Sequence, residues 1–281
     1  MVPRITALFG VFSNLCDVVS DHFLNIFFCD KTTRFAPMSS AAPASHTQPL
    51  SLISAKLIES TPISAAVRLL TFEVPEGVSL NFLPGQSIRI EVPINGKTVS
   101  LAYSIASSPG PGNRFELCIK AGKQGSPPER LFELRIGEQI RFGRPQGEFV
   151  LRQLNEDAVF LAAGTGIAPI RSMIHSLMRQ NGGHAVQLLF GSRDAQSLLF
   201  HAEFLALARQ HPRFQYLPVL SRAGDDWLGA RGHVQHHLAG ILPLSGRAYL
   251  CGPPAMVRSA SAALSQMGWP EQLIHYDRDC C

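Results

Sequence analysis

The stretch FLAAGTGIAP, residues 160–169, has the residue types that a bound phosphate requires. An apolar run ends in Gly164-Thr165-Gly166 and passes into an amphipathic segment with Pro169 in its first turn. Glycines there let the backbone turn tightly and leave room for a ligand against main chain. The amides opening the next helix present partial positive charge to a pyrophosphate. Proline suits a first helical turn, where its missing N–H costs no hydrogen bond. The third glycine of the commoner G-x-G-x-x-G fingerprint is absent, and a structural tight turn is the other reading of these glycines.

Three further stretches carry similar chemistry. LLFGSR (188–193) and VLSR (219–222) both end apolar runs in a serine and an arginine: Ser192-Arg193 and Ser221-Arg222. A hydroxyl beside a guanidinium suits a ribose 2′-phosphate; solvated loop residues are the alternative. LCGPPAMV (250–257) sets Cys251 and Gly252, a small soft side chain and bare backbone, where a ring can approach before Pro253 and Pro254 start a helix. A buried cysteine beside a turn explains it equally. Nearer the N-terminus, Gly125-Ser126 precedes a short helix, whose amides Ser126 can cap or a phosphate can occupy. Upstream, Tyr103-Ser104 pairs an aromatic ring with a hydroxyl on one strand.

The elements that hold these stretches fall into two kinds. Residues 50–154 alternate apolar and polar positions in short runs (LISAKLIE, AVRLLTFEV, QSIRIEV, RFELCIK) separated by LPGQ, NGK and PGN turns, with one helical interlude, PPERLFEL. That pattern predicts an antiparallel barrel or sandwich. From 155 to 281 the runs alternate between buried strands (AVFLAAG, AVQLLFGS, FQYLPVLS, RAYLCG, QLIHYD) and helices (IAPIRSMIHSLMRQ, LLFHAEFLALARQ, VQHHLAGIL, PAMVRSASAALSQMG). Strand–helix alternation predicts a parallel, doubly wound sheet covered on both faces.

Composition narrows the partners. A net charge of +4 over 281 residues, with 16% charged and 46% hydrophobic, gives no reason to expect nucleic acid or an anionic membrane. The six cysteines, at 16, 29, 118, 251, 280 and 281, have no spacing for zinc or an iron–sulfur cluster. No metal is expected, and thiols in a reducing, cytoplasmic compartment are. Residues 5–29 are apolar but interrupted by Asp17, Asp21 and His22, unlike a membrane span, which needs about 20 residues with few charges. They also fit poorly with a secretory or transit signal, although a transit role would place the protein in mitochondria. Residues 1–49 read as a disordered extension and linker, with a translation start at Met38 as another explanation.

Taken in order, these stretches resemble the ferredoxin–NADP reductase superfamily, including its oxidoreductase NAD-binding domain-containing proteins. The flavin motif R-x-Y-S corresponds to Leu101-Ala102-Tyr103-Ser104, and G-x-x-S to Gly122–Ser126 or the Gly125-Ser126 pair. G-G-T-G-x-x-P corresponds to Ala163–Pro169, C-G-P-x-x-M to Cys251–Met256, and W-x-G-x-x-G-x-V to Trp227–Val234. The resemblance implies an N-terminal antiparallel Greek-key β-barrel that binds FAD, followed by a doubly wound parallel α/β domain that binds NADP or NAD. It implies hydride transfer between NAD(P)H and bound FAD, with electrons passed to a separate acceptor protein or small acceptor. Ser104, Cys251 and Asp277 are its catalytic candidates. Tyr103, Ser104, Lys120, Gly125, Ser126, Gly164, Thr165, Gly166, Pro169, Ser192, Arg193, Ser221, Arg222, Cys251, Gly252, Pro253 and Met256 are the cofactor-binding candidates. Leu101 departs from the motif arginine, for which Lys120 or Arg130 is a substitute, and motivates the alternative of a non-catalytic or weakly flavin-binding electron-transfer or regulatory subunit. Asp277 lacks the aromatic that often follows the family's C-terminal acid, leaving Tyr276 to cover the flavin.

Overall fold

The computed structural model describes residues 52–180, 183–240 and 246–277. The 1–49 extension, with Cys16 and Cys29, and the Cys280-Cys281 pair lie outside the described residues.

The alternating runs become six antiparallel strands. They are β1 (Ile53–Ser64), β2 (Val67–Glu73), β3 (Ser87–Ile94), β4 (Lys97–Ser104), β5 (Arg114–Lys120) and, after helix α1 (Pro127–Phe132), β6 (Gln139–Phe142). Their order is β4-β3-β6-β1-β2-β5, and an antiparallel bridge between Ile105 and Leu117 returns the end of β4 to β5, curling the sheet into a barrel. The β3–β4 hairpin turns on Asn95 and Gly96, both at positive φ, as a two-residue turn with the right twist requires. Inward positions such as Leu57, Leu70, Ile88 and Ile90 are buried, and Phe115 stacks on Phe72 at 5.5 Å.

The second half contains β7 (Ala158–Ala163), α2 (Ile167–Met178), β8 (Val186–Ser192), α3 (His201–Gln210), β9 (Phe214–Leu220), β10 (Ala230–Arg231), β11 (Arg247–Cys251), α4 (Pro254–Gln266) and β12 (Ile274–Tyr276). All pairings are parallel, in the order β10-β9-β8-β7-β11-β12. The apolar run of β7 is buried because both faces are covered. Phe160 and Ala162 face α2 and α3, while Val159 and Leu161 face α4.

Four elements depart from the sequence pattern. Residues 234–240 form a 3₁₀ segment where an α-helix is expected. Helix α3 starts at His201 instead of in the preceding apolar residues, because Phe200 is left-handed at φ 57°. Strands β6 and β10 are too short to announce themselves.

Both sheets belong to one unit, Thr47–Cys281. Val67, Ala106 and Cys118 of the barrel share an apolar cluster with Met173, Ile174 and Phe190 of the α/β half. Burying apolar side chains stabilises by roughly 1.5–3 kcal/mol each for residues such as Val, Ile, Phe and Met, so this cluster contributes substantially to holding the two halves together.

Candidate active site

The strand order reverses between β7 and β11, and open α/β sheets bind ligands outside the carboxyl ends of strands at such a point. Two turns meet there. Gly164–Gly166 form a single 3₁₀ turn leading into α2, with exposed Gly164 at φ 57°. Gly166 is buried: a Cβ on it would stand 2.5 Å from the Cys251 carbonyl oxygen and 2.8 Å from the Gly252 nitrogen. The glycine is therefore what lets the β7–α2 turn lie against the end of β11. No side chain caps α2; the Ile167 amide donates back to the Gly164 and Thr165 carbonyls of the 3₁₀ turn, with Thr165 half-buried and Pro169 buried in the first helical turn. Pro253 and Pro254 open α4 likewise without a side-chain cap, and Met256 reaches back to within 3.0 Å of where a Gly252 Cβ would sit.

At the ends of β8 and β9 the two Ser-Arg pairs lie side by side. The Ser221 amide donates to the Ser192 carbonyl (2.9 Å) and the Arg222 amide to the Arg193 carbonyl (2.7 Å), with Arg193 and Arg222 exposed. The next loop is pinned by the Arg231 guanidinium, which donates to the carbonyls of Ala223, Gly224 and Trp227, and by Trp227 Nε1 on the Ala230 carbonyl (3.0 Å).

A cavity of about 390 Å³ opens between the barrel and the end of the second sheet. Ser87, Ala102 and Ser104 line it from β3 and β4, Gln146–Phe149 and Arg152 from the connection after β6, and His275, Tyr276 and Asp277 from β12 and its continuation. The size is that of a small-molecule site, generally about 300–1,000 Å³. Asp277, 8% exposed, accepts a hydrogen bond from the Cys251 thiol at 3.7 Å, which links this cavity to the β7–β11 crevice. Burial first, then the charges of Arg247 and Arg152, holds His275 below the usual histidine value and so uncharged at neutral pH.

The flavin-strand candidates separate. Ser104 lines the cavity, whereas Tyr103, on the other face of β4, packs with Leu101 against the barrel cluster, and burial pushes its phenol up to about 12. Ser126 caps α1 by accepting the Glu129 amide (3.4 Å), while the Glu129 carboxylate takes the Gly125 amide. This arrangement, similar to a capping box but closed on the amide before the N-cap, uses donors that a phosphate would need. Lys120 is exposed at the end of β5, and Arg130 pairs with Glu138 at 3.2 Å; neither lines the cavity. Gln146, Glu148, Arg152 and His275 were not singled out by the sequence. They come from separate segments, and no local pattern marks them.

The family model for the oxidoreductase FAD-binding domain matches residues 54–151, and that for the oxidoreductase NAD-binding domain matches residues 160–262. Ferredoxin–NADP reductase B of Sorangium cellulosum (strain So ce56) is 34% identical over 235 residues, covering 80% of this chain and 96% of its own length. The chain belongs to the ferredoxin–NADP reductase family. It is an oxidoreductase that uses FAD and a nicotinamide nucleotide. Phenol hydroxylase P5 protein of Acinetobacter pittii (strain PHEA-2) is 31% identical over 80% of this chain and 64% of that relative. Among solved structures, the flavohem-like FAD/NAD-binding domain of nitric oxide dioxygenase from Vibrio cholerae O1 biovar El Tor matches with a TM-score of 0.73. It is 25% identical, over 80% of this chain and 97% of that one. No helix among the described residues is long and apolar enough to cross a membrane.

Proposed function

We propose that this chain is a cytoplasmic reductase that takes a hydride from NADPH and hands electrons to a separate redox protein. The observation that carries this reading is the junction of two sites. The cavity behind Ser104 and the crevice between β7 and β11 share a wall through Cys251 and Asp277. Ferredoxin–NADP reductase B, matched over 80% of this chain and 96% of its own length, supports both the nucleotide and the protein acceptor.

The cavity fits a flavin ring in size and in having polar groups on opposing walls. Bound FAD supplies the chemistry of accepting two electrons with a hydride and releasing them to an acceptor. The Ser104 hydroxyl would hydrogen-bond the ring's polar edge, and Tyr276, 42% exposed at the cavity mouth, would cover a face and give way to nicotinamide. Cys251, with a fully buried side chain, would bound the nicotinamide pocket, and its bond to Asp277 fixes the thiol's direction. The amides after Gly164-Thr165-Gly166 would hold the dinucleotide phosphates, and Arg193 and Arg222 the 2′-phosphate. Phe149 and Tyr249, edge to face at 6.3 Å, back the cavity and help to exclude water. We place the boundary between the flavin and nucleotide domains at residues 154/155.

The test is anaerobic reduction of a one-electron acceptor by the full chain loaded with FAD. NADPH should support turnover at concentrations well below those of NADH. A chain that takes up FAD yet reduces no acceptor with either nucleotide contradicts the proposal.

A further inference from the structure

Helix α2 begins at the nucleotide turn, and its middle grips the strand that carries Ser104. Arg171 is the centre of that grip. Its side chain is 12% exposed. Nη1 donates to the Ala106 carbonyl (3.0 Å) and to the Glu116 carboxylate (2.6 Å), both in the flavin barrel. Nε donates to Glu203 of α3 (2.7 Å), which also bonds His175 Nε2 (2.6 Å), and the guanidinium lies 4.6 Å from the centre of the Phe200 ring. One residue along, the buried Ser172 hydroxyl donates to the Ser107 carbonyl (2.7 Å).

Two features set this cluster apart from an incidental ion pair. Among the described residues, only Asn95 and Phe200 are non-glycines at positive φ. Asn95 sits in a hairpin turn that requires it, whereas Phe200 is a bulky residue held in a left-handed conformation that L side chains avoid. Such strain persists where the surroundings over-determine it, and here it sets the ring against the Arg171 guanidinium. The second feature is directional. The shared apolar cluster already joins the two halves, but apolar burial is non-directional. A planar guanidinium held by a carboxylate and a carbonyl of one domain and a carboxylate of the other fixes orientation. Burial lowers the basicity of Arg171, but Glu203 and Glu116 more than offset this and keep it charged.

The grip connects two functional ends. Ala106 follows Ser104 by two residues, and its amide donates to the Glu116 carbonyl at 2.8 Å. Arg171 follows the Gly164–Gly166 turn by one helical turn and a half. A stiff helix and a stiff strand transmit any shift at Arg171 to both. We infer that Arg171 is a positioning residue for hydride transfer, holding the nucleotide turn and the Ser104 strand at their working separation. This rests on the function proposed above. Reaction needs near-attack separations of about 3–3.5 Å, and a misplacement of 1 Å costs roughly 10²-fold.

The test compares Arg171→Met and Arg171→Lys with the wild type, full chain, loaded with FAD. Three quantities are read: FAD per chain, NADP⁺ affinity by difference spectroscopy, and the flavin-reduction rate at saturating NADPH. For R171M the rate should fall about 10- to 100-fold, with FAD content and NADP⁺ affinity nearly unchanged, and R171K should recover part of it. A wild-type rate in R171M, or a loss matched by lost flavin, overturns the inference. If R171M does not fold, Glu116→Gln from the barrel side and Ser172→Ala from α2 cut the same grip; wild-type rates in both overturn it equally. Hydrogen exchange on the chain without FAD gives a readout independent of activity. In R171M, amides of 105–108, 164–168 and 170–171 should open together, and faster exchange confined to α3 counts against the inference. Wild type that NADPH does not reduce would sink the proposed function instead, and exchange would still decide the role of Arg171.

Discussion

Replacing Gly166 with alanine tests whether the nucleotide turn is as tightly seated as the structure shows. The new Cβ would stand 2.5 Å from the Cys251 oxygen and 2.6 Å from its carbonyl carbon. That is roughly 1 Å inside the ordinary contact distance of about 3.5 Å. Both atoms are backbone of β11, paired between β7 and β12, so neither can rotate away. Overpacking costs about 1–3 kcal/mol, and a clash with main chain belongs at the upper end. At about 2–4 °C per kcal/mol for a protein near this size, the melting temperature should fall by about 6–12 °C. Gly164→Ala is the internal control. Nothing lies within 4 Å of its Cβ position, so the cost is the left-handed backbone alone, about 1–2 kcal/mol. G164A should melt only a few degrees low, yet weaken NADP⁺ binding, because its methyl enters the open crevice. G166A should lose both. Thermal melts and NADP⁺ titrations on the pair read these quantities. A G166A protein melting within about 2 °C of wild type would refute the seating of the turn on β11.

Two further predictions concern the ligand sites. Ser104→Ala should slow flavin reduction by NADPH about tenfold, the effect of one lost hydrogen bond of about 1.4 kcal/mol, with NADP⁺ affinity unchanged; an equal rate in stopped-flow removes Ser104 from the site. Arg193→Met together with Arg222→Met should raise the KM for NADPH at least tenfold while leaving that for NADH within about twofold, since charge-assisted bonds contribute about 1.5–3 kcal/mol. Equal changes for both nucleotides would exclude these arginines from the 2′-phosphate.

What the sequence disclosed follows from how local each signal is. The buried run Ala158–Ala163, the glycines after it and Pro169 are adjacent in the chain, so strand, turn and helix could be read together, and so could the Asn95-Gly96 hairpin. The Ser-Arg pairs at the ends of β8 and β9 were legible because each ends its own strand, and a parallel sheet brings such ends together. Contacts made across the chain were not. The cavity takes walls from β3 and β4, from 146–152 and from 274–277, and Arg152 and His275 stand there with no motif around them. Arg171 reads as an ordinary polar position on an amphipathic helix until Glu116 and Ala106 are seen beside it. Tyr103 illustrates the pleat: adjacency to Ser104 in sequence puts it on the opposite face of the strand. Ser126 shows the reverse case, where a capping box and a phosphate loop share residue types and only Glu129, folded back on the Gly125 amide, distinguishes them.

The claim that everything else depends on is that NADPH and FAD meet in the cavity between Ser104 and Asp277. Stopped-flow mixing of the FAD-loaded full chain with NADPH, and with NADPH deuterated at C4, under anaerobic conditions measures that directly. Bleaching of the flavin absorbance that slows with deuterium at the transferred position is the predicted result. A flavin that stays oxidised at saturating NADPH would contradict it.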